Sequence, residues 1–384
     1  MALQSFGVNS SSVGAGVRAP LGTTDDAFVD FGALVSSSDD RAISGTGSGH
    51  TVIIQGTVIA AGYGIFLGDG GADSGNQLFI GPSGYVGSLG VFAAIIQANN
   101  SMIDNRGMIW GSSNGVSIGA ASGTSTVMNS GTIEATIMGI QHNNADGLVV
   151  SNSGLIQSPV HAIFGSSGVE QIINSGRIIG TVSLFTGNDV YSGGAGRLAG
   201  KVLAGEGVDT IIGGADNDWF EGGPDNDALT GNAGNDVLIG ETGNDTLNGG
   251  LGNDNLSGGA NNDKLLGGAG VDTLTGGANI DIFVFNTALN AATNRDIVTD
   301  FFAPQDTFQL ENAIFTKLGA GVHVLNPAFF RAGTAAADTN DYIVYNRATG
   351  ALSYDANGNG AGGAIAFAVL VNKPVLAAYD FVVI

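Results

Sequence analysis

From residue 204 onward an aspartate recurs every nine residues without a slip: Asp209, Asp218, Asp227, Asp236, Asp245, Asp254, Asp263, Asp272 and Asp281. Two residues after each stands an apolar one: Ile211, Phe220, Leu229, Leu238, Leu247, Leu256, Leu265, Leu274 and Phe283. Units such as GNAGNDVLI and GGLGNDNLS read as a six-residue Gly-rich turn followed by a three-residue strand. The middle strand residue faces a solenoid core, which explains the apolar column. Gly or Asn at positions one, two and four suits backbone conformations that other side chains avoid. Two nonapeptides make one coil, so alternate turns stack on the same edge. This sets Asp209 with Asp227, Asp218 with Asp236, and so on to Asp263 with Asp281.

The charge of the chain follows the same segment. The formal net charge is −22, and residues 201–284 alone carry −12. Carboxylates and backbone carbonyls on stacked turns form the all-oxygen shell that Ca²⁺ prefers. The pairing allows up to seven shared sites. Asp216 and Asp225, at position four, either add carboxylates or are solvated turn residues. Carboxylates one coil apart, about 4.8 Å, repel strongly unless neutralised. The segment is therefore expected to be unfolded at low calcium and to fold on binding it. The acidic balance argues against nucleic-acid or anionic-membrane partners. The absence of Cys excludes a disulfide scaffold. With 43% apolar and only 12% charged residues the chain is not a disordered acidic one.

The pattern GGxGxDxUx is identified as the calcium-binding repeat of the RTX proteins. Residues 204–384 further resemble the C-terminal region of the serralysin-type members. That resemblance rests on the repeats and on the segments that follow, which end in Asp380, Phe381, Val382, Val383 and Ile384. It implies a β-roll over 186–284, then a β-sandwich-like cap over 285–384 carrying a type I secretion signal. It also implies export from a Gram-negative cytoplasm to the outside, with the secretion apparatus as a partner. The N-terminus shows no basic region followed by an apolar run, so no secretory leader is expected. The longest apolar run near the C-terminus is too short to span a bilayer. Within the cap, Asp341–Asn346 and Ala351–Asp355 read as a hairpin, with Gly350 able to take the left-handed position. Asp355, Asn357 and Asn359 form either a further oxygen cluster for calcium or an ordinary polar turn. The HExxH zinc motif of the proteases is missing: none of His50, His142, His161 and His323 fits it.

Residues 46–185 repeat more loosely. Asn105, Asn129, Asn152 and Asn174 open similar units 24, 23 and 22 residues apart. Weaker copies start at Ile54 and Pro82. Three short strands per coil is the rhythm of a right-handed parallel β-helix. The Asn column is expected to stack as an amide ladder, with Ile109, Ile133, Ile156 and Ile178 in the core. Thr186–Tyr191 already mimics a nonapeptide, making Asp189 an isolated candidate calcium ligand. Leu198 stands where the next Asp belongs, so the register breaks there. Residues 1–45 read as an extended or capping segment. The fold class expected is all-β, a parallel β-helix continuing into a calcium-binding β-roll with a C-terminal cap.

A β-helix raises the possibility of a polysaccharide-active enzyme, a lyase or epimerase. Such chemistry needs a base and cations against the substrate carboxylate. Residues 1–200 contain no Lys and five Arg. Asp69, Asp73, Asp104, Glu134, Asp146 and Glu170 are scattered. His142 and Asp146 lie close in sequence, with His161 about one coil later; they read as loop and rung residues rather than a catalytic cluster. The reading favoured is a non-enzymatic, secreted, calcium-dependent structural protein that assembles with copies of itself as a surface layer, filament or adhesin. Cell-surface polysaccharide is a further candidate partner. A polysaccharide-active enzyme and a monomeric binding or effector protein are the alternatives.

Overall fold

A computed structural model describes residues 3–6, 10–12, 19–22, 25–38, 40–68, 73–119, 122–303, 305–359 and 363–384. Asp69 lies outside them. The chain divides into two units, 1–206 and 207–384, later than the boundary at 185 expected from the sequence. Among the described residues regular structure is almost entirely β, with single 3₁₀ turns at Pro327–Phe329 and Ala378–Asp380. No helix there is long and apolar enough to cross a membrane.

Unit one is a parallel β-solenoid. One face stacks Thr51–Ile54, Gln77–Ile80, Met102–Asn105, Thr124–Asn129, Gly147–Asn152, Glu170–Asn174 and Val190–Ser192. Two further strands per coil complete the turn, for example Thr132–Ala135 and Met138–His142. Alternation decides which side chains point inward: Ile103, Val127, Val150 and Ile172 are fully buried in one column, Ile109, Ile133, Ile156 and Ile178 in another. The in-register partners Ile103, Val127, Val150, Ile172 and Tyr191 follow one another at 24, 23, 22 and 19 residues, so the coil tightens along the chain. Tightening removes a corner. In the last large coils two strands merge into one, Leu155–Ser166 and Arg177–Thr186. Residues before 46 are not a separate segment: Leu3–Phe6 pairs in parallel with Asp26–Val29, which pairs with Thr51–Ile54. Thr186–Glu206 also stays with unit one, because Val202–Glu206 keeps pairing with Arg177–Thr186. That pairing accounts for the later boundary.

Unit two is the tighter roll, with 18 residues per coil, as in the pair Ile211 and Leu229. Its apolar column from Ile211 to Phe283 is completely buried. From Trp219–Pro224 to Thr273–Ala278 the strands are six residues long rather than three, whereas the first, Thr210–Ile212, has three. The Gly-rich positions stay hydrogen-bonded in the ladder, Asn232 beside Gly250 and Ala233 beside Leu251, so the turn proper shrinks to three residues. The C-terminal region closes this roll by extending both of its sheets. Thr307–Leu310 and Phe381–Val383 continue one sheet in parallel, Asp296–Val298 and Ala364–Leu370 the other. The Asp341–Asp355 hairpin forms, pairing Asn346 with Ala351, with Gly350 at φ 83°. Here phenylalanines replace the leucines of the roll: Phe301 stacks on Phe308 at 4.1 Å, and Phe381 packs on Phe308 at 5.2 Å.

Candidate metal centre

The two edges of the roll are built by one repeated arrangement. The Oδ1 of each Asp accepts the backbone N–H of the Asp one coil earlier: Asp227 from Asp209, Asp236 from Asp218, Asp245 from Asp227, all at 2.8 Å. The series continues through Asp254, Asp263, Asp272 and Asp281. The second oxygen is left over. Oδ2 of Asp227, Asp236, Asp245, Asp254, Asp263 and Asp281 is buried and has no hydrogen-bond partner. A buried carboxylate oxygen without a partner is costly, and a whole column of them calls for a cation.

Position one of the nonapeptide explains where these oxygens lie. A Cβ on Gly231 would sit 2.1 Å from Asp236 Oδ2 and 2.7 Å from the Gly249 carbonyl oxygen of the next coil. On Gly240 the distances would be 2.3 Å to Asp245 Oδ2 and 2.5 Å to the Gly258 oxygen. A carboxylate oxygen and a carbonyl oxygen from successive coils thus converge beside each of these glycines. This corrects the conformational reading of position one: positive φ falls at positions two and four, as at Asn232 (72°) and Gly234 (129°), whereas position one is Gly because its missing side chain leaves room for oxygen.

Position four brings backbone oxygen close to the next coil. A Cβ on Gly243 would be 1.7 Å from the Asp225 carbonyl oxygen, and one on Gly234 2.4 Å from that of Asp216. Asp225 adopts φ 82° and is exposed, while Asp216 is half-buried. Among the described residues no three His, Asp or Glu side chains gather as a metal-holding cluster. The atoms that converge on these edges are carboxylate and backbone carbonyl oxygens, the chemistry that suits calcium.

Burial sets the electrostatics. It pushes Asp227 and Asp263 up to about 7, and Asp218, Asp245, Asp254 and Asp281 up to about 6. Donated N–H groups oppose the rise, and for Asp227 and Asp263 the charges of the stacked aspartates add to it.

Two members of these columns escape the nine-residue count. Asp272 N–H donates to Asp296 Oδ1 at 3.2 Å, and Asp281 N–H to Asp306 Oδ1 at 3.0 Å. Asp296 is pushed up to about 8, first by burial and then by the charge of Asp272. The signal was present as an Asp with an apolar residue two positions on, Val298 and Phe308, but at steps of 24 and 25. A second column also went unread: position-five asparagines accept the position-five N–H of a neighbouring coil, as Asn217 from Asn235 and Asn235 from Asn253.

The remaining candidates fall elsewhere. Asp189 is buried, and its Oδ1 accepts the Glu170 N–H at 2.7 Å, the same bond with Glu170 in place of an Asp. Asp355 Oδ1 accepts the Asn357 N–H at 3.3 Å, which closes a polar turn. Asp380 Oδ2 accepts the Ala377 N–H at 2.7 Å and docks the C-terminal strand. The Asn ladder forms as expected, Asn105 to Asn129, Asn152 and Asn174 at 2.7–2.8 Å.

These edges define a calcium-binding β-solenoid. The profile of the RTX calcium-binding nonapeptide repeat matches in four copies, at residues 203–238, 221–256, 230–265 and 248–283. Residues 203–283 are RTX calcium-binding repeats. No curated protein matches the chain. Among solved structures, the chain is similar to the solution structure of the AlgE6R3 subunit from the Azotobacter vinelandii mannuronan C5-epimerase. That match has 23% identity and a TM-score of 0.23 over 44% of this chain and 80% of the other. At that overlap it says nothing about the chemistry of this chain.

Proposed function

We propose that the protein is a secreted structural solenoid whose C-terminal roll is folded by calcium outside the cell and which then associates with copies of itself at a surface or in a matrix. The observation that carries the calcium-dependent step is the column of buried, partnerless Asp Oδ2 atoms beside position-one glycines. Asp209, Asp218, Asp227, Asp236, Asp245, Asp254, Asp263, Asp272 and Asp281 would hold the ions with turn carbonyls, at up to seven sites. Calcium there supplies charge neutralisation and cross-links successive coils. Export fits a segment that stays unfolded where calcium is scarce and locks where it is plentiful. Association is supported by the charge balance: neutralising the −12 of residues 201–284 removes most of the repulsion between copies. Light scattering and electron microscopy of the full chain, with calcium and with chelator, test this reading. Calcium-dependent particles larger than one chain are expected. Strictly monomeric protein at saturating calcium overturns the assembly role, and unchanged β-sheet signal in chelator overturns the calcium role.

A further inference from the structure

Unit one contains a buried charge cluster that no repeat pattern announces. His142, at the end of Met138–His142, is enclosed, and its Nδ1 lies 2.6 Å from Glu170 Oε1. Its Nε2 lies 2.9 Å from Asp146 Oδ1. All three side chains are completely buried. Ser166 Oγ lies 2.9 Å from Nδ1 and 3.2 Å from Glu170 Oε1. With a carboxylate on each ring nitrogen, the imidazole has no free lone pair with which to activate that serine, so a nucleophilic role is disfavoured. Asp146 Oδ2 and Glu170 Oε2 have no hydrogen-bond partner.

Glu170 occupies an aspartate slot of the roll. Gly168, Val169 and Glu170 repeat the spacing of Gly187, Asn188 and Asp189, which is the spacing of Gly252, Asn253 and Asp254. The approach of the preceding coil agrees: a Cβ on Gly168 would be 1.7 Å from the Asp146 oxygen, one on Gly187 2.0 Å from the Gly168 oxygen, and one on Gly252 1.6 Å from the Gly234 oxygen, although Gly168 lacks the positive φ of the other two. Glu170 is one methylene longer than Asp, and its carboxylate reaches the His142 ring.

We infer that His142 is the built-in counter-cation of unit one, serving Glu170 and Asp146 as calcium serves the aspartates of the roll, so that the two units fold on different signals. Burial alone pushes the imidazole down, but the hydrogen bonds and charges of Glu170 and Asp146 outweigh it and hold it above its ordinary value. The groups facing the ring are Asp146 from the turn after its own strand and Glu170 and Ser166 from the next coil. Asp189 reaches the Glu170 backbone and not the ring. Asp146 and Glu170 are then neutralised without metal, before calcium arrives. This goes beyond the assembly reading and does not depend on it.

Hydrogen exchange of the full-length protein, resolved by peptide and run with calcium and with chelator, tests the inference. In chelator, residues 138–190 stay protected while 209–284 exchange freely. His142→Gln strands two buried carboxylates and speeds exchange over 138–190 by roughly a hundredfold or more, with or without calcium, the scale of a buried ion pair that loses one partner. Calcium-induced protection of 209–284 in that variant is unchanged. The triple variant His142→Gln, Asp146→Asn, Glu170→Gln removes the charges while keeping the shapes of the two acids, and recovers most of the protection. If the triple variant is as unprotected as His142→Gln, the ring acts by packing and the inference falls. It falls equally if residues 138–190 of the unaltered protein lose protection in chelator together with the roll.

Discussion

The larger coils and the roll both bury acids at the same turn position, yet they neutralise them differently. At Glu170 the partner is the His142 ring at 2.6 Å, carried by the chain itself. At Asp227, Asp236 or Asp245 one oxygen is held by a backbone N–H and the other has no partner among the protein's own groups. Where an aspartate of the roll leaves one oxygen without a protein partner, the acid of the larger coil meets a histidine of a neighbouring coil.

The strongest way to break the comparison is to remove calcium. Circular dichroism in chelator should lose the β-sheet signal contributed by residues 207–284 and keep that of unit one. Equal loss from both regions would erase the distinction. Next in size is Gly231→Val, which places carbon where Asp236 Oδ2 and the Gly249 oxygen converge. Overpacking of this kind costs about 1–3 kcal/mol, and the midpoint of a calcium titration of folding should rise accordingly. Asp225→Asn, on the exposed position-four side chain, should leave that midpoint almost unmoved. If it shifts as far as Gly231→Val does, position four contributes its carboxylate after all.

Acidity sharpens the same contrast. Folded, metal-free Asp227 and Asp263 are pushed up to about 7 and Asp245 to about 6, from an ordinary value near 4. Their protonated forms favour the fold, so the stabilisation is fully present below about pH 4 and is lost as pH rises through 6 to 7. In chelator the roll should therefore gain β-sheet signal on acidification toward pH 4, the reverse of ordinary acid unfolding. With calcium present, protons compete, and the calcium midpoint should rise as pH falls below about 7. A chelated roll that loses rather than gains structure on acidification would contradict this. An effect confined to unit one is expected in the ladder. Asn129→Ala strands Asn152 Oδ1 and the Leu155 carbonyl, at about 1–3 kcal/mol. Thermal unfolding of unit one should register it without any change in the calcium midpoint.

Much of this was legible in the residues because solenoids turn period into contact. The aspartate and apolar columns, the Asn105–Asn174 ladder and the hairpin at Gly350 all follow from spacing alone. What spacing hid has a physical cause in each case. Asp296 and Asp306 join the columns after steps of 24 and 25, because a coil with a loop in it still closes on the same ladder. Glu170 and His142 stand 28 residues apart, and only stacking of successive coils makes them neighbours. Leu3–Phe6 looked like an extended segment because a strand whose partners lie more than twenty residues away has no local signature.

The sequence by itself determined that residues 204–284 coil every 18 residues, that their apolar column is core and that their acids line two edges, since a nine-residue period leaves a strand little other choice. It also determined the affinity of that segment for calcium as a class of ligand. Only the tertiary structure decided which oxygen of each carboxylate is spent on backbone and which is left, why position one must be bare, and that His142 lies between Asp146 and Glu170. Those are matters of distance between coils, and distance across a stack is fixed by packing, not by order along the chain.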